Sequence, residues 1–177
     1  MKKRHTQDRQ MQRIAVTIAA GKTINLSPSG QNALVEQIIR EFAERFVPGG
    51  KLLYVRDTET KFAYVDAEAQ RALGVDLEAH GKMPDVIIYD ERRNWLVLIE
   101  AVTSHGPTGP KRHAELTQAF SESQAGLVFV TAFSDRETLK TYLADILWET
   151  EVWIAESPAH HIHFDGERLL GPYQKKL

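Results

Sequence analysis

The chain has 177 residues, 42% apolar and 26% charged, a composition that suits one globular domain with a sizeable core. Its 22 Lys and Arg stand against 24 Asp and Glu, so a net charge of −2 gives no argument from overall basicity for a nucleic-acid partner, although local basic patches remain open. The absence of cysteine excludes disulfides, thiolate zinc sites and cysteine nucleophiles, and no apolar run reaches the roughly 20 residues of a membrane span; together these predict a soluble, cytoplasmic chain with no membrane partner.

At the start, Lys2, Lys3, Arg4, Arg9 and Arg13 face the single acid Asp8 and lead into an apolar patch, residues 14–20, that Gly21 stops. We read residues 1–26 as a basic N-terminal helical extension and residues 27–177 as the main domain. Leu34, Val35, Ile38, Ile39, Phe42 and Phe46 recur with helical spacing and predict an amphipathic helix ended by Pro48-Gly49-Gly50. Residues 52–55 and 62–65, separated by the polar turn 57–60, predict a hairpin, and Asp66 can cap a short helix through Leu73. Residues 84–89 read as a buried strand, 90–94 as a charged turn and 95–102 as a second strand, most simply an antiparallel hairpin. A rigid loop at 106–110 precedes a helix from Lys111 to about Glu122, a strand at 126–130, a helix from Ser134 to about Leu147, and a last strand at 151–155. This alternation predicts an α/β sandwich with a mixed sheet.

In such a hairpin the start of the first strand lies beside the end of the second, which brings Asp85 and Glu100 to one edge. Paired carboxylates suit a hard divalent cation such as Mg²⁺, which takes oxygen ligands, and a cation there would support phosphodiester hydrolysis. The competing reading is that the two acids are solvated or pair with Arg92 or Arg93.

The run Lys82-Met83-Pro84-Asp85-Val86-Ile87-Ile88-Tyr89-Asp90, followed by Trp95-Leu96-Val97-Leu98-Ile99-Glu100-Ala101-Val102-Thr103-Ser104-His105-Gly106-Pro107, resembles the BsuBI/PstI family of type II restriction endonucleases. Pro110-Lys111-Arg112, residues 126–133, residues 148–156, His163-Phe164-Asp165-Gly166 and Leu170-Gly171-Pro172 are similar to further blocks of that family, so the likeness covers roughly residues 27–173. The resemblance implies a restriction-endonuclease-like α/β/α sandwich with a mixed central sheet over 27–177. It also implies a PD-(D/E)xK site in which Asp85 and Glu100 bind Mg²⁺, and a homodimer that cuts both strands of double-stranded DNA at a palindromic site.

Two departures bear on that expectation. Val102 stands where the motif has a lysine, so another group must serve; Lys111 at a helix start and His105 in the following loop are the candidates for catalytic assistance. Family members also carry an N-terminal helical recognition domain, whereas about 26 residues precede the likeness here, which reads as a catalytic domain nearly alone. Arg92, Arg93, Lys111, Arg112 and the basic start are the cations expected to meet DNA. Glu41 or Glu44 could add a carboxylate to the metal edge, though both read better as solvent-facing charges. His161 and His163 would share one face of a short strand, where packing is the simpler role than metal binding. Two other functions stay open: a DNA-binding or dimerisation module with little turnover, and a repair nuclease that reads DNA structure instead of sequence.

Overall fold

A computed structural model describes residues 13–19, 21–75, 83–103 and 109–165. The apolar run Trp95–Val102 forms β6, the middle strand of a seven-stranded sheet, and its near-continuous burial reflects cover on both faces. The sheet order is β4-β3-β5-β6-β7-β8-β9, with β3 (Lys51–Val55), β4 (Tyr64–Val65), β5 (Val86–Asp90), β7 (Gly126–Phe133), β8 (Thr150–Ile154) and β9 (His161–Phe164). β5 and β6 are antiparallel, as the charged turn between them requires, and Asn94 takes the left-handed backbone (φ 53°) that lets this turn close. β6, β7 and β8 run parallel, from Trp95 opposite Gly126 to Val102 opposite Phe133 and from Val130 opposite Glu151 to Phe133 opposite Ile154. The sheet is therefore mixed, and the predicted α/β class holds.

One face is covered by the helix that starts at α1 (Gly30–Gln37), passes through a π-helical stretch at Ile38–Phe42 and ends in α2 (Ala43–Phe46). Ser29 caps it by accepting from the Asn32 N–H, and Leu34, Val35, Ile38 and Phe42 pack on Val86, Ile88, Val97, Ile99 and Trp153. On the other face, α3 (Ala67–Ala72) and α4 (Pro110–Ala119) cover Leu53, Ile87, Leu96 and Leu98. There α5 (Arg136–Tyr142) covers Val102, Phe133, Val152 and Ile154. Asp66 caps α3 as predicted, and α5 is shorter than the expected helix because Asp135 caps it and a single 3₁₀ turn, Leu143–Asp145, follows it.

The predicted N-terminal helix is corrected. Residues 14–19 form strand β1 (Ile14–Ala19), which pairs antiparallel with β2 (Lys22–Leu26) across Gly21, whose φ of +78° suits the tight turn. The reason is visible in the side chains: Ile14, Val16 and Ile18 face inward while Ala15 and Thr17 are exposed, a period of two instead of 3.6. Val16 and Leu26 join the core against α1, so the hairpin is part of this layer. Residues 1–12 lie outside the described residues.

One buried carboxylate ties the layers together. Asp57, just past β3, accepts from the Ser27 N–H and hydroxyl, the Asn32 amide, the Glu59 N–H, and the Thr60 N–H and hydroxyl. The end of β2, the first turn of α1 and the end of β3 are thereby fixed relative to one another.

Candidate active site

The β5–β6 register builds the site. Val86 pairs with Ile99, and just before it the Asp85 N–H donates to the Ile99 carbonyl at 3.0 Å, which seats Asp85 beside Glu100 and Ala101. Asp85 is 2% exposed; its Oδ2 accepts from the Ala101 N–H at 2.8 Å and its Oδ1 from the Gln31 amide at 3.0 Å. Glu100 leans under the start of α4, where Oε1 accepts from Arg112 Nε at 2.9 Å and Nη2 at 2.7 Å. Arg112 Nη2 also reaches the Met83 carbonyl at 2.8 Å, so this guanidinium braces both strands of the hairpin.

Burial raises the Asp85 carboxyl above its usual range although the Ala101 N–H, Arg56, Gln31 and Arg112 oppose the shift. Burial and then the neighbouring Asp85 charge push Glu100 up to about 7, with Arg112 and Arg56 opposing. Ionising both acids at this desolvated edge is costly, and a bound cation would offset that cost. Both donors are hard oxygens, and among the described residues no hydrogen bond reaches Glu100 Oε2. The pair thus fits a divalent ion; among the described residues no group of three or more His, Asp or Glu is arranged to hold one, so backbone oxygens, water or substrate would complete its shell.

The other sequence candidates are dispersed. Val102 is 2% exposed and packed among Phe133, Leu139 and Val152, so the motif position offers no charge. Lys111 is exposed at the start of α4, while its neighbour Arg112, expected to meet DNA, is the residue that turns inward to Glu100. His105 lies outside the described residues. Arg92 and Arg93 sit in the β5–β6 turn, about 17 Å along the strands from the carboxylates at roughly 3.4 Å per residue. Arg93 is held there by Asp90 at 2.5 Å, by the Phe46 carbonyl at 2.7 Å and by the Trp95 ring at 4.4 Å. Glu41 pairs with Arg40 and Arg45 on the outer helix surface, and among the described residues Glu44 makes no interaction with the carboxylate edge. His161 and His163 share a face as predicted and meet Glu151 at 3.4 Å and 2.5 Å.

Gln31 and Arg56 escape the sequence, and Arg112 is read there as a DNA contact and not as the partner of Glu100. Gln31 comes from the first turn of α1, and no local pattern shows that this turn points at Asp85. Arg112 differs from Lys111 only by its angle on a helix whose phase the sequence leaves open. Arg56 directly follows β3, and its backbone N–H donates to the Asp85 carbonyl at 2.8 Å.

A family profile described as the BsuBI/PstI restriction endonuclease domain matches residues 14–167. The chain is 53% identical over 171 residues to the type II restriction enzyme BsuBI of Bacillus subtilis, an alignment covering 97% of this chain and 54% of that protein. It is 32% identical to the type II restriction enzyme AplI of Arthrospira platensis, over 96% of this chain and 54% of that protein. The structure of SdaI restriction endonuclease superposes with a TM-score of 0.87 and 42% identity, covering 98% of this chain and 55% of that one. The chain spans about half the length of the curated relatives it matches.

Proposed function

From the premise that the chain belongs to the BsuBI/PstI restriction endonuclease family, we propose that it hydrolyses phosphodiester bonds of double-stranded DNA with Mg²⁺ at Asp85 and Glu100. The observation that carries the reading is the Asp85–Glu100 carboxylate pair held at one edge of the sheet, with Glu100 Oε2 accepting no hydrogen bond from the described residues. Restriction endonucleases generally use a divalent metal; when bound, such an ion lowers the pKa of water and offsets charge on the phosphate oxygens. The chain's own residues supply orientation. The Ala101 N–H and Gln31 fix the Asp85 carboxylate, and Arg112 fixes Glu100 against β5 through Met83. The burial of Asp85 and partial burial of Glu100 strengthen charge interactions at the edge.

One carboxylate pair per chain cuts one strand, so concerted cleavage of a palindromic site calls for a two-fold homodimer. Among the described residues no helix is long and apolar enough to cross a membrane. With the absence of cysteine this supports a cytoplasmic enzyme.

Incubation with supercoiled plasmid in Mg²⁺ against EDTA, followed by mapping of product ends, tests the reading. The expected result is Mg²⁺-dependent cleavage with fixed ends. Random ends would favour a nuclease that reads DNA structure, and plasmid left intact but bound would favour a module without turnover.

A further inference from the structure

Val102 stands where the PD-(D/E)xK motif has a lysine, and that position is sealed in the core. Positive charge must therefore come from another element. Arg112 is committed to Glu100 and to the Met83 carbonyl. Strand β3 offers the alternative. It pairs with β5, Val55 opposite Val86, and the next step of the ladder runs from the Arg56 N–H to the carbonyl of Asp85 itself. Arg56 is thus the cross-strand neighbour of the first carboxylate. Its side chain is exposed, and among the described residues no carboxylate pairs with its guanidinium. The backbone on both sides is fixed, by the β3–β5 ladder before it and by the six-donor cage of Asp57 after it. This is a charge on a rigid support with no carboxylate partner among the described residues, at the edge where substrate would enter.

We propose that Arg56 is the cation that contacts the scissile phosphate, in place of the missing motif lysine; the inference rests on the nuclease reading given above. Hydrolysis joins a water oxygen to phosphorus and breaks one bridging P–O bond, with a net proton passing from that water to the leaving sugar oxygen. Negative charge gathers on the non-bridging oxygens in the transition state, and a planar guanidinium can meet two of them at once. The charge of Arg56 acts on both Asp85 and Glu100, which places it within electrostatic range of the reacting edge.

Single-turnover cleavage of plasmid in Mg²⁺, with DNA affinity measured separately in EDTA, tests this on the parent, Arg56→Ala, Arg56→Lys and Lys111→Ala chains. Loss of one preorganised donor to a transition state costs about 10²–10³-fold in rate. Arg56→Ala should lose that much in rate while its affinity falls less than about tenfold. Arg56→Lys should keep part of the rate, and added guanidinium ion should restore part of it to Arg56→Ala, which a merely structural role would not allow. Arg56→Ala cleaving within about threefold of the parent overturns the inference alone, all the more if Lys111→Ala carries the loss instead. A parent chain that leaves DNA intact in Mg²⁺ overturns the nuclease reading and this inference with it.

Discussion

Asp57 is a buried and Glu100 a partly buried carboxylate, and their surroundings drive them in opposite directions. Burial pushes Asp57 up, but the donors of Ser27 and Thr60 outweigh it and hold the carboxyl well below its usual range. A lowered folded pKa adds stability above the ordinary carboxylate pKa of about 4, and that stability is lost as pH falls through the acid range. Asp57→Ala leaves the caged donors without an acceptor and should cost about 3 kcal/mol in urea denaturation at pH 7. The deficit of Asp57→Asn against the parent should shrink below about pH 4. Glu100 has the reverse sign. Its folded pKa of about 7 exceeds the ordinary 4.5, so its contribution is full below 4.5 and disappears as pH rises through 7. In EDTA the chain should therefore lose roughly 2–3 kcal/mol between pH 5 and 8, the scale set by a rise from 4.5 to about 7 at about 1.4 kcal/mol per pKa unit. Mg²⁺ should remove that slope. A flat profile in urea denaturation across this range would show that Glu100 is not perturbed.

At the scale of elements, strands and helices with strong patterns were legible. The uninterrupted apolar run of β6 marks a central strand, and Asp66 marks the beginning of α3. The hairpin β5–β6 also fixes which ends meet, so the convergence of Asp85 and Glu100 followed from the order of strands and the short turn. β1 was misread because Ala15, Ala19 and Ala20 give its run a helical composition, while the alternation of Ile14, Val16 and Ile18 carries the true period. Gln31 and Arg56 were illegible for a different reason: their link to Asp85 crosses 54 and 29 positions of the chain and depends on layer packing. The corrected hairpin makes its own prediction. Leu26 is fully buried against α1, so Leu26→Ala should cost about 2–5 kcal/mol, whereas a loosely attached extension would cost under about 0.5 kcal/mol. Chemical denaturation of that variant separates the two.

For the whole molecule, a net charge of −2 means that DNA affinity must come from local cations. The described residues put Arg56 and Lys111 on the elements flanking the carboxylates and put Arg92 and Arg93 at the far turn. Affinity should fall steeply with salt, and Arg56→Ala should lower the slope of log affinity against log salt by about one, against little change for Arg93→Ala, whose guanidinium is held by Asp90 and Phe46. Fluorescence anisotropy across a salt series measures this. Light scattering with and without DNA tests the dimer, which should be present whenever cleavage of both strands is concerted.

The proposed hydrolysis depends on Asp85 and Glu100 sharing a cation, so calorimetric titration of Mn²⁺ into the parent, Asp85→Ala and Glu100→Gln chains is the most direct measurement. The parent should bind, with uptake accompanied by proton release near pH 6.5 because Glu100 holds a proton there before the ion enters. Both variants should lose that binding. Mn²⁺ uptake by Asp85→Ala and Glu100→Gln equal to that of the parent would place the ion elsewhere and contradict the account.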